Sequence, residues 1–150
     1  MRTRMGGALA GVGLITGVTG TFLPWLRSGN VNRDSYEVLS LRDFAGLDTG
    51  PGQVVTLVWV GITPLAVLAV ALWMVRFRRF AACLGLIFGT ITGTVAALAV
   101  VQGGDEGQLI GINTTGPAVT LSGAVLAIVG AITVLTAKTR SAMSTPGGGP

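Results

Sequence analysis

Four long apolar runs dominate this chain of 150 residues and constrain its fold more than any other feature. They cover residues 5–23, 54–75, 80–101 and 117–137, and none of them contains Asp, Glu, Lys, Arg or His. Each run has about the 20 residues that a helix rising about 1.5 Å per residue needs to cross the hydrocarbon of a bilayer. A surface helix of a soluble protein needs a polar face, which these runs lack. The sequence therefore predicts an all-α membrane protein, a single bundle of four transmembrane helices over residues 1–140.

Charged residues are divided unequally between the two sets of connections. Seven of the ten basic residues lie before the first run, between the second and third runs, or after the fourth, where no acidic residue occurs. All six acidic residues lie in the other two connections. Because short cytoplasmic loops of membrane proteins are enriched in Lys and Arg, we expect a plasma-membrane protein with both termini in the cytoplasm. The pI near 10.7 then reflects juxtamembrane charge, and we expect no binding to nucleic acid.

Small residues form a stripe along two of the runs. Spacings of three and four residues place such a stripe on one face of a helix, where it lets helices approach closely inside lipid. We expect both stripes to pack inside the bundle, and the alternative is that one of them docks on a partner subunit. The glycines of these stripes are Gly6, Gly13, Gly17 and Gly20 in the first run and Gly85, Gly89 and Gly93 in the third.

Pro64 lies near the middle of the second run. It has no N–H to donate to the carbonyl of Val60, so the sequence predicts a kink in the second helix at this point. Kinks occur in the gates of transporters, but proline is also common in membrane helices whose neighbours satisfy the freed carbonyl. We therefore favour a kink without a direct functional role.

The first outer connection, residues 24–53, is long for a plain connection, and we expect it to have structure of its own. A period of two residues over 33–38 predicts a short strand. Ser40 and Asp43 then form a capping box, which predicts a short amphipathic helix over 41–45. The connection should therefore form a small ordered cap on the outer side of the bundle.

This outer connection also holds the only concentrated set of polar and aromatic side chains. Binding residues concentrate on ordered loops held by a rigid scaffold, so we expect the loop to be a recognition surface for a protein or a lipid headgroup. The expected protein partner is another membrane protein or a second copy of the chain. For each single residue the alternative is an exposed ion pair or a capping bond without a further role. The candidate residues are Trp25, Arg27, Arg33, Tyr36, Glu37, Arg42 and Asp43.

Groups that would carry catalysis or ion coupling are scarce. The chain has no His and only one Cys, Cys83, so no catalytic residue, metal site or cofactor is predicted. Ion-coupled carriers usually hold an ionisable residue at membrane depth, and the four runs contain none. We therefore expect a non-catalytic scaffold or accessory subunit of a larger cell-envelope complex. The alternative is a component of a transporter or channel for small solutes or lipids.

Residues 141–150 differ in composition from the rest of the chain. They are rich in Gly, Ser and Pro and have too few apolar residues to pack against other elements. Segments of this composition do not form a core, so we expect a disordered cytoplasmic tail.

Three short motifs carry a resemblance to a known group of proteins. They are Leu-Pro-Trp-Leu-Arg-Ser-Gly at 23–29, Arg-Asp-Ser-Tyr-Glu at 33–37 and Gly-Pro-Ala-Val-Thr-Leu-Ser-Gly at 116–123. In these motifs the chain resembles uncharacterised small four-span membrane proteins of actinobacteria. The resemblance implies an actinobacterial plasma membrane and no particular activity. The layout is also similar to that of claudins, although the paired loop cysteines and the Trp-Gly-Leu-Trp element of claudins are absent.

Overall fold

The computed structural model describes residues 2–28, 31–40, 51–102 and 110–143, which are mostly helical. The helices are α1 (Arg2–Thr21), α2 (Ser35–Ser40), α3 (Pro51–Val60), α4 (Ile62–Met74), α5 (Arg78–Gln102) and α6 (Thr115–Met143). The strands are β1 (Pro24–Ser28), β2 (Val31–Asp34) and β3 (Ile110–Ile112). Helix α6 runs to Met143 and so includes the first three residues of the segment 141–150, for which the sequence predicts a disordered tail, and residues 144–150 lie outside the described part.

Three helical stretches of this part of the chain are long and apolar enough to cross a membrane: Thr56–Met74, Arg78–Val101 and Thr115–Ala137. A further apolar helix, Met5–Thr21, is shorter. Only 22% to 39% of the most apolar window of each long stretch is buried, so most of its residues are at least partly exposed. Apolar surface of this extent is unusual on a soluble monomer, because each outward-facing residue would meet water. These helices are therefore of the kind that a membrane protein requires.

Helix α6 lies between α1 and α5, and α4 packs mainly against α5. The contact surfaces consist largely of small residues, and Ala124, Ala127 and Ala131 of α6 are fully buried. Phe88 of α5 is the largest fully buried side chain and lies against Gly17 of α1. Small contact residues bring the helix backbones close together, so dispersion contacts between backbones hold much of this interface.

The second apolar run forms two helices, α3 and α4, instead of one continuous helix. Gly61 separates them as a single turn residue, although its N–H still donates to the carbonyl of Leu57 at 3.1 Å. Pro64 supplies no N–H to the carbonyl of Val60, which removes one bond of the helix ladder. The interruption thus lies just before Pro64, where the sequence predicts the kink.

Helix α4 ends in a Schellman motif that turns the chain into α5. The N–H of Arg76 donates to the carbonyl of Trp73 at 3.2 Å, and the N–H of Phe77 donates to the carbonyl of Leu72 at 2.9 Å. Arg76 has a φ of 69°, in the left-handed region that glycine usually occupies in this motif. The tight turn leaves Arg76, Arg78 and Arg79 together at this end of the bundle.

At the other end, the three strands form an antiparallel sheet in the order β2-β1-β3. The register of β1 against β2 shifts between Pro24 and Leu26, so that Trp25 is the extra residue of a β-bulge. A bulge re-aims a side chain relative to its neighbours in the strand. The sheet and α2 lie together on this end of the bundle, and we call them the outer cap because the charge pattern of the sequence predicts this end to be outside.

The prediction of a strand over 33–38 was wrong beyond Asp34. Residues 35–40 form α2 instead, because the Asp34 carboxylate accepts hydrogen bonds from the N–H groups of Tyr36 at 2.9 Å and Glu37 at 2.8 Å. This is the N-cap geometry that starts a helix, and it outweighs a weak two-residue alternation. The helix predicted over 41–45 lies outside the described residues.

Candidate functional site

Trp25 attaches the outer cap to the top of α1 and α3. Its side chain is only 8% exposed, and its indole N–H donates to the carbonyl of Gly20 at 2.9 Å. This bond satisfies one of the carbonyls that the end of α1 leaves without a helical partner. The ring also meets Trp59 of α3 edge to face, with centroids 5.3 Å apart. Trp25 is therefore an inward anchor of the cap.

The start of α6 is shaped to receive the same indole. A Cβ at Gly116 would lie 2.6 Å from Nε1 of Trp25, which is closer than any real side chain allows. The N–H of Asn113 donates to the carbonyl of Trp25 at 2.9 Å, just after β3. The Asn113 side chain then accepts from the N–H of Thr115 at 3.0 Å as α6 begins. Trp25 thus links the sheet, α1, α3 and α6 at one point.

Ser35, the first residue of α2, forms the second attachment. Its hydroxyl donates to the carbonyl of Thr21 at 2.6 Å and accepts the indole N–H of Trp59 at 3.2 Å. All three residues are buried, so each of these polar groups would be costly without its partner. The two bonds join α1, α2 and α3 through one hydroxyl group.

Tyr36 forms the third attachment, to the interrupted second run. Its hydroxyl shares a hydrogen bond of 2.6 Å with the Thr63 hydroxyl, next to Pro64. Its ring stacks on Phe22 with centroids 5.2 Å apart. The Tyr36 side chain is half-buried, so the bond is partly shielded from solvent. Cap and bundle are therefore joined by three separate sets of contacts.

The structure divides the seven candidate residues of the first outer connection. Trp25 and Tyr36 point into the cap–bundle junction, whereas Arg27 and Glu37 are exposed and Arg33 is half-buried. The remaining two, Arg42 and Asp43, lie outside the described residues. The aromatic members therefore hold the cap, and the charged members that the structure describes form its outward surface.

The four predicted stripe glycines of α1 all face other helices and mainly α6. A Cβ at Gly13 would lie 2.7 Å from the carbonyl oxygen of Gly123, and one at Gly6 would lie 3.0 Å from Thr133. At the other end of α1, a Cβ at Gly20 would lie 2.8 Å from Cα of Thr120. This order of contacts makes α1 and α6 antiparallel, with the two backbones in direct contact.

The glycines of α5 face a second side of α6. A Cβ at Gly89 would lie 3.0 Å from the carbonyl oxygen of Ala124, and one at Gly93 would lie 3.2 Å from Cβ of the same residue. Gly85 is less crowded, with Ala131 Cβ at 3.9 Å. Both predicted stripes therefore pack on α6, which makes α6 the central helix.

Sequence reasoning missed the small residues of α6 that receive these stripes. Gly123 and Gly130 are buried against α1, and a Cβ at Gly123 would lie 2.6 Å from Cα of Gly17. Together with Gly116, which receives Trp25, they recur every seven residues. A seven-residue repeat of glycine signals one helix face, so the pattern was available in the sequence. The roles of Ser35 and Trp59 depend on contacts between distant segments, and no local sequence pattern predicts them. The one general indication is that a buried indole N–H needs a hydrogen-bond acceptor.

Hydroxyl groups along the helices mostly bond within their own helix. In α5 the hydroxyls of Thr90, Thr92 and Thr94 donate to the carbonyls four residues earlier at 2.7 to 2.8 Å. Bonds of this type satisfy the hydroxyl without a partner across the bundle. Among the described residues, Thr120 differs in that its hydroxyl is fully buried against Gly20 and has no hydrogen-bond partner.

Metal-binding groups are not clustered in the described ranges. Within them, no three His, Cys, Asp or Glu residues lie together in a way that could hold a metal ion. Cys83 is exposed on α5. The chemistry that these ranges present is therefore that of hydrogen-bonded junctions and charged surfaces.

Comparison of the chain with protein-family models, with curated proteins and with solved structures finds no match.

Proposed function

We propose that this protein is a four-span protein of the plasma membrane that serves as a non-catalytic scaffold or accessory subunit of a larger cell-envelope complex. In this proposal the bundle anchors the outer cap, and the cap presents a partner-binding surface outside the cell. The observation that carries the proposal is the triple attachment of the cap through Trp25, Ser35 and Tyr36.

The proposal counts α1 as a membrane span although its apolar part, Met5–Thr21, is short. Its 17 residues correspond to about 25 Å of helix, at the lower limit for crossing the hydrocarbon. Contacts of α1 extend along α6 from Thr133 to Thr120, within the apolar stretch Thr115–Ala137. A helix that runs beside a membrane span over that length occupies the same depth of the bilayer.

The distribution of charge supports the proposed orientation. Arg76, Arg78 and Arg79 lie at the end of the bundle opposite the outer cap, where α1 begins and α6 ends. The remaining basic residues at that end are Arg2, Arg4, Lys138 and Arg140, and no acidic residue accompanies them. Orientation follows such an excess of Lys and Arg, so this end faces the cytoplasm and the cap faces outward.

The packing of the glycine stripes supports the cap as the docking surface. Because the glycines of α1 and α5 face α6, both stripes are occupied inside the bundle. The cap, by contrast, exposes Arg27, Val31, Asn32 and Glu37 on an ordered sheet and helix. A surface held rigidly before binding loses less conformational entropy when a partner docks.

Transport is the second candidate, favoured by the helix interruption at Gly61 and Pro64. The bonds of the described hydroxyls weigh against it, because those of α5 donate to their own helix and Thr63 bonds to Tyr36. A polar path needs hydroxyls that are available to a solute. We therefore rank the scaffold above the transporter.

Gentle-detergent purification of the tagged protein from its own cells, followed by quantitative mass spectrometry, tests this proposal. We compare the unmodified chain with Arg27→Glu, which reverses a charge on the cap, and with Arg27→Lys, which preserves it. We expect one partner to be recovered in near-stoichiometric amounts with the unmodified chain and Arg27→Lys, and depleted with Arg27→Glu. Recovery of the protein alone, as a monomer, would contradict the subunit hypothesis. Equal recovery with all three chains would contradict docking through the cap.

A further inference from the structure

An apolar cleft opens at the end of the bundle opposite the outer cap. It has a volume of about 50 Å³ and lies between α1, α4, α5 and α6. Its lining includes Gly7 and Gly11 of α1, Trp73 of α4, Ala82 of α5 and Val134 of α6. The lining is almost entirely apolar, so its natural content is hydrocarbon instead of water.

Two glycines of α1 shape the cleft in different ways. A Cβ at Gly7 would overlap the six-membered ring of Trp73, so this glycine lets the indole contact the backbone of α1. A Cβ at Gly11, one helical turn further on, would meet nothing within 4 Å. Gly11 therefore faces the open part of the cleft, where space remains for a group from outside the chain.

A basic rim lies beside this cleft. The guanidinium carbon of Arg78 is 5.6 Å from the centroid of the Trp73 ring that lines the cleft. Arg78 also precedes the lining residues Ala81 and Ala82 by three and four positions, which places all three on one face of α5. The arginine thus lies one turn beyond the cleft, toward the helix end. Arg79 is exposed in the same turn.

Nothing acidic in the sequence offsets the charge at this end of the bundle. All six acidic residues lie in the two connections on the cap side, whereas three arginines occur between positions 76 and 79. Basic sites between membrane helices on the cytoplasmic side bind anionic lipid headgroups, and each basic residue near the surface contributes about 1 kcal/mol. The arginines therefore complement an anionic headgroup, and the apolar cleft beside them complements its hydrocarbon chain.

We propose that this cleft binds one anionic phospholipid of the cytoplasmic leaflet, with an acyl chain over Gly11 and the phosphate at Arg78. The inference rests on the proposed membrane orientation and adds a ligand that the scaffold role does not require. The indole of Trp73 lies between the two parts of the site, with the hydrocarbon chain on one side and the guanidinium on the other. A zwitterionic lipid offers the same chain but no net negative charge, so it binds more weakly.

Native mass spectrometry of the full-length protein, exchanged into detergent with equal amounts of phosphatidylglycerol and phosphatidylcholine, tests the site. A Cβ at Gly11 meets nothing within 4 Å, so Gly11→Leu extends an apolar side chain into the open part of the cleft. Ala8→Leu, at an exposed position of the same helix, is the matched control. Arg78→Gln removes the charge, and added glycerol 3-phosphate tests whether the headgroup alone is the ligand.

We expect the unmodified chain and Ala8→Leu to retain phosphatidylglycerol in preference to phosphatidylcholine. Gly11→Leu should retain the two lipids equally, and Arg78→Gln should weaken phosphatidylglycerol binding by about fivefold, which corresponds to about 1 kcal/mol. Glycerol 3-phosphate should not displace the lipid, because it lacks the acyl chain.

Equal retention of both lipids by the unmodified chain, or unchanged selectivity in Gly11→Leu, would overturn the lipid site while leaving the membrane bundle intact. Displacement by glycerol 3-phosphate would also overturn it, in favour of a simple phosphate site. A second copy of the chain bound in place of the lipid would be seen as a dimer and would overturn the choice of occupant. Recovery of the chain from the aqueous fraction would instead refute the membrane proposal on which the site rests.

Discussion

A methyl group added at Gly13 should separate α1 from α6, whereas the same group added at Gly11 should not. The two glycines lie two residues apart in α1, and only Gly13 faces the backbone of α6. A Cβ at Gly13 would lie 2.7 Å from the carbonyl oxygen of Gly123 and 2.8 Å from Cα of Ala127. Carbon atoms in contact prefer about 3.5 to 4.0 Å, so the helices must move apart by about 1 Å.

The cost follows from the contacts that such a gap weakens. Each pair of contacting atoms contributes about 0.1–0.2 kcal/mol of attraction, and a gap of about 1 Å removes up to about half of it. Summed over a site, overpacking typically lowers stability by about 1–3 kcal/mol. Replacing glycine by alanine within a helix contributes about 1 kcal/mol in the opposite direction, equally for both variants. We therefore expect Gly13→Ala to be about 2 kcal/mol less stable than Gly11→Ala.

Unfolding of both purified variants by SDS in mixed micelles, followed by tryptophan fluorescence, measures this difference directly. Gly11→Ala should match or exceed the unmodified chain, and Gly123→Ala, on the other side of the same contact, should behave like Gly13→Ala. Equal free energies of unfolding for Gly11→Ala and Gly13→Ala would refute direct backbone contact between α1 and α6.

Two further substitution experiments address the ends of the bundle. Arg76→Gly should raise the free energy of unfolding by about 1 kcal/mol, because Arg76 is held at a φ of 69°. Arg79→Gly, in the first turn of α5, should not raise it, because Arg79 has no positive φ to relieve. A loss in both variants would show that Arg76 is not strained. A double-mutant cycle of Tyr36→Phe and Thr63→Ala, measured by the free energy of unfolding, should give a coupling of about 1 kcal/mol for their 2.6 Å hydrogen bond. If the two effects are additive, this bond does not hold the cap.

The helices were the most predictable part of the fold, because apolar runs in lipid must satisfy every backbone group within the run. The run predicted at 80–101 lies within α5, and the one predicted at 117–137 lies within α6. The short first helix and the interrupted second run depart from this pattern. In the second run, Pro64 removes a backbone donor, so the single predicted helix appears as α3 and α4.

The outer cap was predictable only as an ordered segment. Its sheet pairs Leu26 with Ile112, which lies in the other outer connection, and no local pattern encodes such a distant pairing. The helix α2 was misassigned because the capping role of Asp34 was overlooked. Local side-chain capping is readable from sequence, whereas strand partners emerge only when the helices bring both connections together.

The inward and outward sides of the candidate site could not be separated from sequence either. Trp25 and Arg27 are two positions apart in one strand, and regular alternation would place them on the same face. The bulge at Trp25 breaks that alternation, so the indole is buried while Arg27 is exposed. An irregularity of one residue therefore decides which candidates anchor the cap and which can meet a partner.

Cysteine accessibility in intact cells tests most directly the claim that the bundle crosses the membrane with the cap outside. The background is Cys83→Ala, and the probes are Asn32→Cys in the outer cap and Arg79→Cys at the opposite end. A membrane-impermeant maleimide should label the Asn32→Cys protein in intact cells and the Arg79→Cys protein only after permeabilisation. If intact cells label the Arg79→Cys protein and protect the Asn32→Cys protein, the orientation is contradicted. If intact cells label both proteins, no membrane separates the two positions.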